Sequence, residues 1–336
     1  MGYKAEKEKV ESKAKSIKRI ALYATLGIIL GVSVFSAFVP ANTWKYHLGK
    51  PNISKRKAGE MRIHFLDVGQ GDATLIELPD GKTALIDGGN GEQITATRIL
   101  RYLNALKIDT IDHLIASHAD SDHCGGLDEV LKNKKVQKAY LPKSNTAVNE
   151  EYAEFYSAVL NENCARVFSN RSIILQSTNA DYPYVFSFLY PYTKDVEEDA
   201  EELADNNESS SVIWLDYQGV SALFTGDAPQ ETEELLIRDS KLGLFKNRGV
   251  HLESTEILKV AHHGSKLSTC TEFLSYLNVD TAIISCGKDN EYGHPTEEVL
   301  SRLRKENATI YRTDESENIV ITVSKTGQRT LKTIKN

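Results

Sequence analysis

The chain has 336 residues, 40% apolar and 26% charged, a balance that excludes a predominantly disordered polypeptide. Its net charge of −7 hides a split. Residues 1–60 carry twelve Lys/Arg against four Asp/Glu, and the rest carry twenty-eight against forty-three, a net of −15. A body that acidic is unlike a protein that coats nucleic acid, which is basic over a whole face. Four widely spaced cysteines, Cys124, Cys164, Cys270 and Cys286, form no CxxC pair, which excludes a disulfide framework or a thiolate zinc site and leaves room for one bridge.

Ile20–Val39 is twenty residues without a charge, IALYATLGIILGVSVFSAFV. As a helix it would span about 30 Å, the hydrocarbon thickness of a bilayer. It has no polar stripe, as a core helix would. Lys4, Lys7, Lys9, Lys13, Lys15, Lys18 and Arg19 precede it, and few basic residues follow before Lys55. The positive-inside tendency places residues 1–19 in the cytoplasm, a transmembrane anchor at 20–39 and the body outside the cell membrane. The rival reading is a cleaved signal segment with its cut near Val39-Pro40-Ala41, which would secrete the body. Residues 40–60 read as a tether leading to a single domain at 61–336.

From Met61 the pattern changes to short β-rich runs. Strands are predicted at 61–67, 73–78 and 83–87, the last two as a hairpin through Pro79-Asp80-Gly81-Lys82. Ala96, Ile99, Leu100, Leu103 and Leu106 recur at helical spacing before a buried strand at 111–117. A second hairpin is predicted from 212–217 and 220–224 through Gln218-Gly219, with further strands at 257–261, 281–285 and 318–324. Asp195–Glu208, eight acids in fourteen residues, reads as an exposed loop. Strands alternating with helices imply α/β layers.

Directly after the predicted strand at 111–117 stands Ser117-His118-Ala119-Asp120-Ser121-Asp122-His123-Cys124-Gly125-Gly126. Two imidazoles and two carboxylates within six residues have no use in packing, because side by side they repel or demand partners. A cation resolves that conflict. The glycines let the chain turn tightly into a helix beginning near Leu127. No Walker A loop, HExxH or GxSxG occurs, and Gly69-x-Gly71-x-x-Thr74 lacks the third glycine of a dinucleotide site.

Over residues 61–336 the sequence resembles the metallo-β-lactamase superfamily, whose signature is His-x-His-x-Asp-His. More closely it resembles the ComEC-like extracytoplasmic hydrolase domains of competence DNA-uptake proteins. Six blocks carry the likeness in order: HFLDVGQGDATLI (64–76), LIDGG (85–89), SHADSDHCGGL (117–127), LFTGD (223–227), LKVAHHGS (258–265) and YGHP (292–295). The resemblance implies an α/β fold, a metallo-β-lactamase-like αββα sandwich, here preceded by one transmembrane helix in place of a multi-pass channel.

It also implies a ligand set. His118, Asp122 and His123 match the signature, and Asp120 stands where its second histidine usually is. Asp227 matches the acid that bridges two metals, and His263 the late histidine, with His262 beside it. The usual intervening histidine is missing from Asn206-Asn207-Glu208-Ser209-Ser210-Ser211. One site would then use Asp122, His123, Asp227 and His263. The other would use His118, Asp120, Asp227 and water or a serine hydroxyl such as Ser210, an oxygen-rich set that makes Mn²⁺ a rival to Zn²⁺. One or two divalent ions are expected, generating hydroxide near neutral pH.

Asp122 is a candidate to orient or deprotonate the nucleophile, and His294 to protonate the leaving alkoxide. His262, Gly264, Ser265, Asn207 and Ser210 are candidates for substrate contact or support of the ligands, and Asp67, Asp72 and Asp87 for support from behind. Lys259 and Lys266 read either as phosphate contacts or as solvated charges. The expected activity is that of an exported metal-dependent phosphodiesterase or nuclease on DNA, working with DNA-uptake machinery. The alternatives are hydrolysis of another ester, a lactam or a cell-wall phosphoester, and a catalytically silent metal-binding partner in DNA uptake.

Overall fold

The computed structural model describes residues 2–38, 45–144, 149–192 and 207–335. The Val39-Pro40-Ala41 segment, part of the expected tether and most of the acidic run at 195–208 lie outside the described residues. Residues up to Leu48 form one unit and Gly49–Asn336 another. Among its described residues the first unit contains the helix Gly2–Phe38 and a short 3-10 turn at Lys45–His47. Within it Ser12–Val34, 23 residues with exposed side chains, is long and apolar enough to cross a membrane.

The second unit contains two sheets. The first joins β1 (Met61–Phe65), β2 (Thr74–Glu77), β3 (Thr83–Ile86), β4 (Thr110–Ile115), β5 (Lys135–Leu141), β6 (Ala165–Phe168), β14 (Asn318–Val323) and β15 (Arg329–Ile334) in the order β15-β14-β1-β2-β3-β4-β5-β6. The second joins β7 (Ile174–Gln176), β8 (Val185–Tyr190), β9 (Val212–Tyr217), β10 (Val220–Phe224), β11 (Ile257–Lys259), β12 (Thr281–Ile284) and β13 (Thr309–Arg312) in the order β13-β12-β11-β10-β9-β8-β7. Both expected hairpins form, Thr74 facing Ile86 and Val220 facing Tyr217.

The inner faces meet in a core that includes Phe65, Tyr140, Phe186, Phe188, Phe224, Ile283 and Ile321. Burying each such side chain contributes about 1.5–3 kcal/mol. On the far side of the second sheet, Trp214 and Leu258 pack with Leu236 of the helix Gln230–Lys241, Phe273 of Thr271–Tyr276 and Leu303 of Glu297–Lys305. The helices Gln93–Leu106, Leu127–Asn133 and Glu150–Asn161 pack against one another beside the first sheet, burying Ile99, Leu103, Val130 and Phe155. The result is the αββα sandwich expected from the sequence.

Within the first sheet β3, β4 and β5 run parallel, and within the second β10, β11 and β12 do so. The loops leaving the C-terminal ends of β3, β4, β10, β11 and β12 hold the motifs singled out above. Residues 54–60, expected within the tether, lie against the body. Arg62 donates to the Ser54 carbonyl at 2.7 Å and Tyr217 to the Gly59 carbonyl at 2.7 Å.

Candidate metal centre

β4 ends at Ile115, and its continuation delivers Ser117 and His118, both fully buried. One turn of helix, Ser121–Cys124, follows and presents Asp122 and His123. Its exit has no room for a side chain. A Cβ on Gly125 would lie 2.3 Å from the Gly91 nitrogen, and one on Gly126 2.3 Å from the Gly88 oxygen. The two glycines therefore let the ligand turn rest directly on the loop after β3. β10 delivers Asp227 through Gly226, and β11 delivers His262 and His263. These two histidines and Gly264 all have positive φ (49°, 52° and 86°). Left-handed backbone at two non-glycine residues costs of order 1–3 kcal/mol each and persists where surrounding structure enforces it, commonly at functional sites.

The imidazoles converge through Nε2. His123 Nε2 lies 3.3 Å from His263 Nε2 and 3.1 Å from Asp227 Oδ1, and His263 Nε2 lies 3.1 Å from Asp122 Oδ2. His123 Nε2 is also 3.9 Å from Asp122 Oδ1, and His263 Nε2 is 3.7 Å from Asp227 Oδ2. Nitrogen and oxygen ligands about 2.0–2.1 Å from a tetrahedral ion would stand about 3.3 Å apart. These four residues fit such an ion.

A second group shares Asp227. His118 Nε2 is buried with no hydrogen-bond partner, 3.5 Å from Asp120 Oδ2 and 4.0 Å from Asp227 Oδ2. His262 Nε2 is 3.7 Å from the same Asp227 oxygen. His118, His123 and Asp227 bring one donor atom each within 4.8 Å of one another. A buried imidazole nitrogen without a partner beside ionised carboxylates is the chemistry of an ion site.

The other ring nitrogens are held from behind. Asp87 Oδ2 is 3.0 Å from His123 Nδ1, and Asp87 also accepts the Ser117 amide (2.7 Å) and hydroxyl (2.8 Å). Ser117 Oγ in turn lies 3.0 Å from His118 Nδ1. His263 Nδ1 donates to the Ser285 carbonyl at 2.9 Å and faces Asp72 at 3.3 Å. Such contacts fix the tautomer and aim Nε2 at the ion. Asp72, His123 and His263 also form a compact group, but Asp72 meets the Nδ1 atoms and is already paired with Lys259 Nζ at 2.6 Å. It supports the ligands from outside.

Electrostatics follow the geometry. Burial lowers the His123 pKa, but Asp227 and Asp87 outweigh it and raise that pKa well above the usual value. Burial likewise opposes the charge on His263, and Asp227 and Asp72 prevail, raising it to about 10. Burial raises the Asp227 pKa, and His123 and His263 more than reverse this, holding it well below the carboxylate range. Asp122, raised by burial and lowered more strongly by His263 and His123, falls to about 2. A carboxylate that acidic is a weak base, so the geometry suits Asp122 to ligation better than to proton abstraction. Burial, then His262 and His263, lowers the His294 pKa. Its neutral ring offers an N–H to a substrate oxygen more readily than a proton to a leaving group.

Of the other expected site residues, Ser210 is buried, and its hydroxyl accepts the Asp227 amide at 3.1 Å, bracing the Asp227 backbone. Asn207 accepts the Ser210 amide through its carbonyl. The Gly264 carbonyl accepts from the Thr296 hydroxyl at the start of the helix Glu297–Lys305, and Ser265 is buried. Asp67 is drawn away toward Arg98 at 3.3 Å. Lys259 is neither a phosphate contact nor solvated, because it is 2% exposed and paired with Asp72. Lys266 is exposed. The four cysteines are free thiols, three of them buried.

A cleft of about 250 Å³ opens onto these groups, lined by Asp120, Asp122, Asp227, His262, His263 and His294, and also by Gln70, Ser121, Asn149 and Tyr292. Ser117 and Ser285 behind the ligands, and Gln70, Asn149 and Tyr292 on the rim, are absent from the sequence reading. Ser117 was signalled by its place beside His118, and Tyr292 by its place beside Gly293-His294. Nothing in the sequence signals Asn149, whose amide reaches the Ala119 carbonyl across 30 residues.

Residues 66–288 match the metallo-β-lactamase superfamily. The chain belongs to this superfamily. The superfamily fold binds divalent metals, in keeping with the His/Asp clusters described above. Curated relatives bear out the likeness to competence proteins. ComE operon protein 3 of Bacillus subtilis (strain 168) is 31% identical over 281 residues, covering 78% of this chain and 33% of that protein. Recombination protein 2 of Haemophilus influenzae is 32% identical over 255 residues, covering 75% and 27%. Competence protein ComA of Neisseria gonorrhoeae is 29% identical over 255 residues, covering 76% and 31%. The chain thus spans about a third of the length of the relatives it matches.

Proposed function

We propose that the chain is a metal-dependent phosphodiesterase that cleaves DNA outside the membrane, anchored by residues 20–39, as part of a DNA-uptake machinery. The observation that carries the reading is Asp227, on which four histidines converge, His123 at Oδ1 and His118, His262 and His263 at Oδ2. When bound there, two divalent ions supply Lewis-acid charge for both the attacking and the leaving oxygen of a phosphodiester. Asp122, His123, Asp227 and His263 would hold one firmly, and His118, Asp120 and Asp227 the other through an oxygen-rich set that takes Mn²⁺ or Zn²⁺. His294 orients a substrate oxygen, and Asp87, Ser117 and Ser285 keep the imidazoles aimed. The names of the competence and recombination relatives support DNA as the substrate.

The test is turnover of single- and double-stranded DNA by the purified chain with Mn²⁺ and with Zn²⁺. Cleavage that is lost in chelator and restored by either ion is the expected result. One observation favours a second reading, a metal-bound partner without turnover: the His118 and Asp120 position has Ser210 in place of a third histidine, with its hydroxyl engaged by Asp227. Tight metal binding with no cleavage of any DNA would favour that reading.

A further inference from the structure

We propose that Tyr292 is a stacking platform for a nucleobase adjoining the phosphodiester at the metal centre, so that the site takes single-stranded rather than duplex nucleic acid. The inference rests on the phosphodiesterase reading above. Tyr292 is 62% exposed and lines the same cleft as Asp122, Asp227 and His263. Scattered exposed aromatics are ordinary; the placement of this one is not. Its ring stacks on His294 with centroids 6.0 Å apart and planes 25° apart, and His294 meets His262 edge-on at 5.6 Å. Three aromatic rings thus lead from the rim to the bridging acid, which lies 3.7 Å from His262 Nε2.

The loop that carries the ring is pinned. The Asn290 side-chain amide donates to the carbonyls of Gly287 (2.9 Å) and His294 (2.6 Å), and its oxygen accepts the His294 amide at 3.1 Å. Among the described residues, the Tyr292 hydroxyl has no hydrogen-bond partner. One face of a positioned ring is therefore free at the mouth of the cleft.

The surrounding charge favours stacking over phosphate grip. Exposed Lys266 and Lys288 stand close in sequence to the site histidines, but exposed Asp289 and Glu291 offset them. Duplex binding draws most of its affinity from cations that release condensed counterions, and this rim supplies no net excess of them. Stacking on an aromatic face needs no charge, and it needs a base whose own face is uncovered, as in a single strand or a frayed end. One stacked base corresponds to about tenfold in affinity.

The experiment compares a single-stranded oligonucleotide with one of equal length whose sugars carry no bases, using the full chain in detergent with Mn²⁺. Turnover gives kcat and KM, and fluorescence anisotropy gives Kd. The base-bearing strand should show KM and Kd about tenfold lower than the base-free strand. Tyr292→Ala should erase that ratio through KM rather than kcat, and Tyr292→Phe, which keeps the aromatic face, should retain it. A ratio near one in the wild type, a ratio that Tyr292→Ala leaves intact, or tighter binding of the matching duplex overturns the proposal. Absence of turnover on both strands overturns the phosphodiesterase reading, and the anisotropy ratio then decides the stacking question separately.

Discussion

Asp227 and His263 sit at the crossing point of the ligand network, and His262 at its margin, half-open to solvent. Asp227→Asn replaces the carboxylate proposed to serve both ions with a neutral amide. It should abolish cleavage with every metal and reduce the bound ion count, read by metal analysis after desalting. His262→Ala should lower activity about 10–100-fold, as loss of a supporting group does, and His263→Ala should lower it further. The reverse order would exchange their roles. Lys259 and Asp72 form a buried ion pair at 2.6 Å. Lys259→Met strands the Asp72 carboxylate and should destabilise the domain by about 3–5 kcal/mol in denaturant titration. Adding Asp72→Asn should recover much of that loss.

Among the elements, the helix Gln230–Lys241 carries a carboxylate with a measurable pH signature. Glu233 is 1% exposed and accepts the amides of Thr269 and Cys270 just after the histidine loop. Burial raises its pKa from the usual glutamate value of 4.5 to about 7. The folded state therefore prefers the protonated acid. That contribution is fully present below pH 4.5 and is lost as pH rises through about 7, amounting to about 3 kcal/mol. Glu233→Gln should flatten this part of the stability–pH curve, and an unchanged slope would show that the carboxylate is ionised at little expense.

The elements also show what was legible in the sequence. β1 to β4, β9 and β10 were readable because turn residues such as Pro79-Asp80-Gly81 and Gln218-Gly219 punctuate apolar runs. β5 and β8 inside the sheets went unread, as did the short edge strands β6, β7, β13 and β15, whose pairing is set by tertiary neighbours. The cluster of side chains was legible because His-x-Asp-x-Asp-His has no packing use. The roles of Lys259 and Ser210 were hidden, since their partners Asp72 and Asp227 lie 187 and 17 residues away.

At the scale of the whole molecule, the charge split and the apolar helix fix an expected orientation. Protease added to intact protoplasts should digest residues 61–336, and a protected body would overturn the topology. The carboxylates that raise the pKa of His123 and His263 also make an ion compete with protons there. Calorimetry in buffers of differing ionisation enthalpy should therefore detect proton release, and affinity should rise with pH.

Each sheet contributes only part of the proposed ligand shell. His118, Asp122 and His123 hang from β4, and Asp227 and His263 from β10 and β11. An ion gripped by both groups acts as a rivet through the rim of a two-leaf spring whose leaves are glued along their length by the apolar core. Withdrawing the rivet should loosen the rim without parting the leaves. Amide hydrogen exchange should then quicken after chelation at residues 117–126, 225–228 and 261–265. The amides of Phe65, Phe188 and Phe224 should keep their protection.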